Sequence, residues 1–367
     1  MNTVLLKPES PPLTPPAAKK TRDELSLCNV IFCLLVIFIH VSAEPVTLYN
    51  KQSILYIIVL SLWRLSSFVV QGFIFLSGVK LFLNYSPDRF SYKKFFLSRL
   101  KRVVIPYIMA VCLFYAYFLV TNTLEITLPG FLRHLFVGNL TSHFYFVIII
   151  CQFYLLMPLW RAMAKHSNPL IALVTALIVM MILKQYLPEL LRVVFGIPEF
   201  QHNSRLFTSY VFYFILGVFC GLHYDRFMEM LRQQKKTVTI AWIVTALINC
   251  IFIYWNSTGR YYAQWLDNFH ILYCFFSILL SLTAADGLCG TGIFGKLWSF
   301  SVLMDKASYY IYLVHPLFIF VTDWVMHCAG ISSISLRYLL RFLAVYALSV
   351  GLCFLRKICK RKITPSP

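Results

Sequence analysis

Two histidines in apolar segments are the side chains best suited to proton transfer in this sequence. His40 closes the run CNVIFCLLVIFIH, and His315 lies within SYYIYLVHPLF. Ionisable groups inside apolar spans are costly and are therefore candidate functional groups, and histidine exchanges protons near neutral pH. Two structural alternatives remain open. His40 could bond water at a lipid headgroup boundary, and His315 could bond a carbonyl freed by Pro316. The other polar or ionisable residues within apolar runs are Asn29, Arg64, Lys184, Asp323 and Arg341.

Asn29 is predicted to lie on the same helix face as His40. The two residues are 11 positions apart, which turns an α-helix by about 1100°, or about 20° beyond three full turns. The rise over that interval is about 16 Å. This spacing predicts a polar stripe with a histidine at one end, a pattern typical of a lined pocket.

The segment FSYKKFFLSRLKRVVIPY combines basic and aromatic residues before an apolar run. Arg99 and Arg102 are three residues apart and would share one face of an α-helix. Together with Lys94 and Lys101 they could bind phosphate groups, since guanidinium groups pair well with phosphate oxygens. The alternative is that these charges set the membrane topology and bind lipid headgroups.

The cysteines do not indicate a metal site or a disulfide framework. The chain has 11 cysteines and no CxxC pair, and most of them lie inside apolar runs. Cysteines in such runs are typically small buried hydrophobes. We therefore expect no bound metal. We also expect no permanently bound cofactor.

The elements that position these residues must be membrane helices. Hydrophobic residues make up 59% of the 367 residues and charged residues only 13%, against about 25% charged residues in soluble domains. The mean hydropathy is +0.73. We predict an all-α polytopic membrane bundle of about ten spans. The predicted spans are 26–43, 54–83, 104–121, 144–160, 169–187, 207–223, 237–255, 270–285, 308–326 and 338–355.

The distribution of basic residues predicts the topology of the bundle. The net charge is +19, from 33 Lys and Arg against 14 Asp and Glu. Most of these cations lie in alternate connections between apolar runs, which is the positive-inside pattern and not the footprint of a nucleic-acid-binding protein. Both termini are therefore predicted to be cytoplasmic, with His40 at the outer end and Arg99 at the inner end.

Three segments follow from this pattern. Residues 1–24 are polar and proline-rich, as expected for a disordered cytoplasmic tail. Residues 25–355 form the predicted membrane domain, and residues 356–367 form a basic cytoplasmic tail. Because the longest connections are about 20 residues, the active site must be built from helices and short loops.

The order of several short motifs resembles the acyltransferase 3 family of bacterial multi-pass membrane acyltransferases. The resemblance covers roughly residues 26–355. The matching elements are His40 at the end of the first helix, Ser77–Gly78 in FIFLSGVKLF, Arg99 and Arg102 (or Lys101) before Pro106 in FFLSRLKRVVIPY, His143 and Tyr145 in HFYFVI, and His315 in YYIYLVHPLF. The chain departs from the family pattern at three positions, where Asn29 replaces an arginine, Val79 a tyrosine and Tyr145 a tryptophan.

The resemblance implies transfer of an acyl group, by default acetyl, from acyl-CoA to a hydroxyl of an envelope glycan or lipid-linked sugar. The protein would then lie in the cytoplasmic (inner) membrane, among membrane lipids and glycan-assembly proteins. Lys94, Arg99, Lys101 and Arg102 would hold the CoA phosphates, with Lys93 beside them.

The resemblance also implies roles around the reacting hydroxyl. His40 would be the general base. Glu44, four residues later, could orient or polarise His40. His315 and His143 would be further histidines of the pocket. Ser77, His143 and Tyr145 are candidates for stabilising the oxyanion.

Asn29 leaves the activity open, because an asparagine cannot replace the family arginine as a cation. Another basic residue could take over, the chain could have diverged in substrate, or it could be an inactive scaffold in glycan assembly. Intramembrane histidines and an interrupted second span also suit a transporter that exports a polysaccharide or its precursor.

Overall fold

A computed structural model describes residues 22–83, 85, 90–125, 127–196, 202–260 and 268–363. This part of the chain is helical and contains no strand. The helices are α1 (Asp23–Val41), α2 (Ala43–Leu48), α3 (Ile54–Ser66), α4 (Val69–Phe82), α5 (Tyr92–Arg99), α6 (Ile105–Val120), α7 (Leu128–Val137), α8 (Tyr145–Leu155), α9 (Met157–His166), α10 (Pro169–Phe195), α11 (Val211–Leu222), α12 (Tyr224–Gln233), α13 (Lys235–Ser257), α14 (Phe269–Cys289), α15 (Gly292–Cys328) and α16 (Ile334–Ile363).

The prediction of an all-α, multi-pass membrane bundle is confirmed. Within the described residues, eight helices or continuous helix pairs are long and apolar enough to cross a membrane, and the pair α8–α9, bent by 56°, gives up to nine. Helix α11 has only 12 residues, or about 18 Å, against a hydrocarbon core of about 30 Å. All ten predicted segments fall on helices.

The predicted tails differ from the structure at their inner edges. Residues 1–21 and 364–367 lie outside the described residues, so most of the predicted tail at residues 1–24 lies outside them and its disorder stays a prediction. Helix α1 already begins at Asp23, and α16 continues to Ile363. The basic segment after residue 355 is therefore helical over most of its length.

Two further spans, α3–α4 and α5–α6, are not continuous α-helices. The long second segment is interrupted between α3 and α4, where the Ser67 hydroxyl donates a hydrogen bond to the carbonyl of Arg64. Helices α5 and α6 are joined by a π-helical turn, Leu100–Val104. Such turns contain more residues per turn than an α-helix and change which side chains share a face.

Helix α4 packs against α11 with almost no side chain between the two backbones. A Cβ atom added to Gly78 would lie 2.5 Å from the carbonyl oxygen of Phe214, and one added to Gly221 would lie 2.7 Å from that of Val79. A Cβ on Gly217 would collide with the carbonyl of Phe75. Small residues allow this approach in membrane helices. The opposite side of α4 is left to line a cavity.

Helices α1 and α15 run parallel and share polar contacts. Near one end of the bundle, Asn29 Nδ2 donates to Asp305 Oδ1 at 2.7 Å and to Ser308 Oγ at 2.8 Å. Further along both helices, His40 lies beside His315. The predicted common face of Asn29 and His40 is thus the face of α1 that contacts α15.

Both ends of the described chain lie at the same end of this bundle. Arg22 pairs with Asp225 at 2.9 Å before α1, and Arg356 of α16 donates to the carbonyl of Lys306. We call this the basic end, and the opposite end, which holds Glu44, the Glu44 end. That the basic end faces the cytoplasm remains a prediction.

Candidate active site

The structure brings together three histidines that are far apart in the sequence. The ring centroids lie 5.1 Å apart for His40 and His315, 5.2 Å for His143 and His315, and 6.0 Å for His40 and His143. His40 comes from the last turn of α1, His143 from the loop before α8, and His315 from the middle of α15. We call these residues the histidine cluster.

His143 is buried and both of its ring nitrogens have partners. Nδ1 lies 3.0 Å from the hydroxyl of Thr141, and Nε2 lies 3.2 Å from the carbonyl oxygen of Leu313. The contact with the carbonyl places the proton on Nε2, which donates, and leaves Nδ1 to accept from Thr141. The hydroxyl of Tyr312 donates to the carbonyl of His143. His143 thus ties the loop before α8 to α15.

His315 is completely buried and uses only one of its nitrogens. Nδ1 donates to the carbonyls of Tyr312 at 2.8 Å and Ile311 at 3.2 Å. Pro316 has no N–H for the carbonyl of Tyr312, so the structural contact expected for His315 is present. Nε2 is buried and has no hydrogen-bond partner among the described residues. This tautomer presents a bare lone pair within the histidine cluster.

His40 is the one ring of the cluster that is partly exposed. The hydroxyl of Ser142, an exposed residue next to His143, lies 3.5 Å from His40 Nδ1. Ser142 was not predicted as a site residue, although its position directly before His143 could have identified it.

Glu44 does not contact His40 as expected. The helix breaks after Val41, and the Glu44 carboxylate in α2 pairs with Arg337 at 2.8 Å and with Arg341. Arg341 is nearly buried and also pairs with Asp323 at 2.6 Å. These four charges connect α2, α15 and α16 at the Glu44 end, so the expectation that Glu44 orients His40 is corrected.

A cavity of about 200 Å³ opens toward the basic end. Three helices supply its amide, hydroxyl and cationic groups, with Asn29 from α1, Ser77 and Lys80 from α4, and Arg99 from α5. The complete lining is Asn29, Phe73, Leu76, Ser77, Lys80, Leu81, Arg99, Val103, Phe146, Ile150, Tyr154 and Tyr309. We call this space the basic-end cavity.

Lys80 supplies a cation beside Asn29, where the family carries an arginine. Its Nζ lies 3.9 Å from Asp305 Oδ1, and the same carboxylate accepts from Asn29 and from Ser26 at 3.2 Å. Lys80 was missed in the sequence. It lies three residues after Ser77, so one turn of α4 places both side chains on the same face.

Only one of the four predicted phosphate-binding cations lines the basic-end cavity. Arg99 lies there, with its guanidinium 5.0 Å from the ring centre of Tyr154 and 5.2 Å from that of Phe95. Lys94, Lys101 and Arg102 are exposed and lie outside the cavity lining. The π-helical turn explains the difference, because it abolishes the α-helical spacing on which the shared face of Arg99 and Arg102 was predicted.

Aromatic rings separate the basic-end cavity from the histidine cluster. Phe146 lies 5.8 Å from Phe73 and 5.5 Å from Tyr312, whose ring is 5.3 Å from that of His143. Phe73 and Phe146 line the cavity, so a ligand entering from the basic end meets these rings before it reaches the histidines.

The remaining predicted residues lie beside other hydroxyl groups. The hydroxyl of Tyr145 is close to that of Tyr210, and Ser77 is close to Tyr154 in the basic-end cavity. No group of His, Cys, Asp and Glu side chains in the described part of the chain is arranged to hold a metal ion.

These features define a class of protein: a multi-pass membrane helix bundle with a histidine cluster in its interior and a cation-lined cavity leading toward it from one end. A family model described as an acyltransferase domain matches residues 23–356. The chain therefore belongs to the acyltransferase 3 family.

Among curated proteins, the chain is similar to the probable poly-beta-1,6-N-acetyl-D-glucosamine export proteins of staphylococci. It is 25% identical over 309 residues to the protein of Staphylococcus aureus strain MSSA476, covering 82% of this chain and 83% of the relative. It is 25% identical over 313 residues to the Staphylococcus epidermidis protein, covering 82% and 81%. No solved structure matches the chain.

Proposed function

We propose that the protein transfers an acyl group, by default acetyl, from acyl-CoA to a hydroxyl of an envelope glycan or lipid-linked sugar. The observation that carries this proposal is the proximity of His40 to His315, whose Nε2 is buried and has no hydrogen-bond partner in the described structure. Family membership supports acyl transfer as the class of reaction.

The basic-end cavity is the proposed donor site. Lys80 and Arg99 provide the two cations that line it, and phosphate groups of CoA would bind to them. Lys80 would supply the positive charge that an arginine provides in the family at the position of Asn29. The cavity is too small to enclose a nucleotide, so the adenosine end would remain outside the basic end and the pantetheine arm would pass between Phe73 and Phe146.

His40 is the proposed general base, because it is the histidine that an acceptor hydroxyl can reach. It removes the hydroxyl proton as the oxygen attacks the thioester carbonyl, and the new O–C bond replaces the C–S bond. The proton then passes to the departing CoA thiolate. As His40 becomes cationic, His315 Nε2 accepts its other N–H, in the manner of a base held by an orienting group.

His143 is a positioning residue in this scheme. Its two nitrogens are already engaged by Thr141 and Leu313, so it holds the loop that places Ser142 beside His40. Ser142 is the exposed hydroxyl nearest to the base and would fix the ring of His40 before substrate binds.

The proposed setting is the cytoplasmic membrane with the basic end facing the cytoplasm. The donor is a cytoplasmic metabolite and would enter where the cations are. The acceptor would approach His40 from the Glu44 end, consistent with the positive-inside rule.

The proposal is tested by substituting His40→Ala and following labelled acetyl groups from acetyl-CoA into envelope glycan in isolated membranes. Transfer is expected to fall by about 10²–10⁴-fold, the range for loss of a general base. The matched control is His327→Ala, an exposed histidine on α15, which is expected to retain activity. Undiminished transfer in the His40 variant would refute the role of His40.

Export of a polysaccharide is the second candidate function, because the staphylococcal relatives are named as probable export proteins. The intramembrane polar residues and the broken α3–α4 span also suit a transporter. If the protein is an exporter, inverted membrane vesicles that contain it should accumulate labelled β-1,6-linked N-acetylglucosamine oligomers. Accumulation should be equal for the wild type and the His40 variant. Failure of the purified protein to bind or hydrolyse acyl-CoA would favour export or an inactive scaffold over acyl transfer.

A further inference from the structure

A second and larger cavity lies on the side of the bundle, away from the histidine cluster. It has a volume of about 800 Å³ and lies between α5–α6, the end of α7, and α8. Its lining is mainly apolar: Phe96, Leu97, Leu100, Val104, Tyr107, Ile108, Leu135, Phe136, Val147, Ile148, Cys151, Tyr154 and Leu155, with Lys93, Arg99 and Gln152 as the long polar side chains. We call it the lateral groove.

The charge of the lateral groove is confined to one end. Lys93 and Arg99 both belong to α5, and the lining contains no acidic side chain. Arg99 Nε is buried and has no hydrogen-bond partner in the described structure. An unpartnered guanidinium nitrogen within an apolar wall is costly unless an acceptor reaches it. A negatively charged group at this end would supply one.

The lateral groove is long enough to hold the acyl chain of a lipid in one leaflet. From Lys93 to Ile108 the chain advances 15 residues, or about 22 Å of helix rise. A leaflet contributes about half of a 30 Å hydrocarbon core, so the groove extends from the headgroup region to beyond the bilayer centre. Several lining side chains, including Leu97 and Phe136, are exposed on the outside of the bundle, where lipid has direct access.

We infer that the lateral groove binds one anionic glycerophospholipid, with its phosphate against Lys93 and Arg99 and an acyl chain along α6 and α8. Charge at one end and hydrocarbon along the rest select this class over a zwitterionic lipid, since interfacial cations attract anionic headgroups. Acyl transfer is not needed for this binding. The groove shares Arg99 and Tyr154 with the basic-end cavity, so the bound lipid would also form one wall of the donor site.

The test uses the purified full chain in phosphatidylcholine nanodiscs with a small fraction of phosphatidylglycerol that carries a diazirine in its acyl chain. After photolysis, cross-links are expected in peptides covering residues 96–108 and 147–155. Lys93→Gln should reduce their yield about five-fold, the factor for loss of one interfacial cation. Lys94→Gln, its exposed neighbour outside the groove, should not change it.

A second pair of variants separates groove binding from general surface contact. Ile108→Trp places a large ring within the groove and should abolish the cross-links, whereas Leu113→Trp, an exposed residue on the same helix α6 but outside the groove lining, should preserve them. Thermal unfolding of each variant verifies that it is folded.

Two results would overturn the inference. One is equal labelling by phosphatidylcholine and phosphatidylglycerol probes with no effect of Lys93→Gln. The other is displacement of the probe by a polyprenyl phosphate but not by unlabelled phosphatidylglycerol. Neither result depends on acyl transfer, which is measured separately, so failure here is distinguishable from failure of the proposed function.

Discussion

Two helix pairs in this bundle are held together in opposite ways. Helices α4 and α11 meet backbone to backbone at Gly78, Gly217 and Gly221. Helices α1 and α15 meet through polar side chains, with Asn29 on Asp305 at one level and His40 beside His315 at another. The α4–α11 contact contains few reactive side chains. The α1–α15 contact contains Asn29 and two of the three clustered histidines.

The difference indicates how the protein combines rigidity with chemistry. Close backbone packing stabilises membrane helices without polar groups. Helix α11 therefore holds one side of α4 in place, and the other side of α4 carries Ser77 and Lys80 at the basic-end cavity. Polar contacts between α1 and α15 add less stability than packing would, but they place the histidines. Substitutions in the first pair should therefore disturb the fold, and those in the second pair should disturb function.

The largest effect is expected for Gly217→Val. The added side chain collides with the backbone of Phe75, and forcing extra atoms into a packed interface costs about 1–3 kcal/mol or more. The protein should lose most of its folded yield, and donor binding should be lost with it. Thermal unfolding in detergent and the yield of monodisperse protein measure the effect.

Gly351→Val is the control for that prediction. Gly351 also lies in a membrane helix, α16, but a Cβ atom there has nothing within 4 Å. Its unfolding temperature should match that of the wild type. Equal losses at Gly217 and Gly351 would mean that the α4–α11 contact is not a special feature of the fold.

His315→Ala tests the polar pair. Removal of the ring leaves His40 without its orienting partner, so kcat should fall about 100-fold, while the donor KM stays unchanged because His315 is not part of the basic-end cavity. Steady-state transfer at several donor concentrations separates the two constants. A rise in donor KM with unchanged kcat would contradict the orienting role.

Lys80→Gln should affect binding and leave the fold intact. Loss of one charge-assisted contact to a phosphate is expected to raise the donor KM about ten-fold. Lys101→Gln, an exposed cation at the same end, should leave KM unchanged. Equal effects of the two substitutions would point to general electrostatic attraction at the basic end and away from a specific contact of Lys80.

The smallest effect is expected for Asn29→Arg, which restores the residue typical of the family. The new guanidinium would pair with Asp305 and free Lys80 from that carboxylate, lowering the donor KM about three-fold, the effect of a weak ion pair. Isothermal titration with a non-hydrolysable acyl-CoA analogue measures the affinity directly. Weaker binding than wild type would show that the site is adapted to asparagine.

Much of the fold was predictable because membrane helices follow from hydropathy alone. The ten apolar segments and the break near Arg64 could be read directly from the sequence. Helix α11 was harder to interpret, since its apolar run reads as a full span but only 12 residues are helical. The contact of its glycines with α4 involves residues that are distant in sequence.

The sequence predicted those features of the candidate site that arise within one helix. It did not predict the contacts between residues of different helices. The shared face of Asn29 and His40 follows from α-helical spacing within α1. The position of Arg102 could not be predicted, because the π-helical turn changes the spacing after Arg99. The contact between Lys80 and Asp305 joins α4 to α15, and nothing in either local sequence indicates it.

The parallel pairing of α1 and α15 also has a consequence for how the protein is made. Asn29 and Asp305 are separated by 276 residues, so the first helix leaves the ribosome long before its partner exists. At about 5–20 residues per second, that interval is on the order of 15 to 55 s. Throughout it, the amide and the histidine of α1 must be accommodated by water, lipid headgroups or the insertion machinery. The helix that carries the proposed base is therefore made well before α15, and it reaches its final contacts only after α15 has been synthesised.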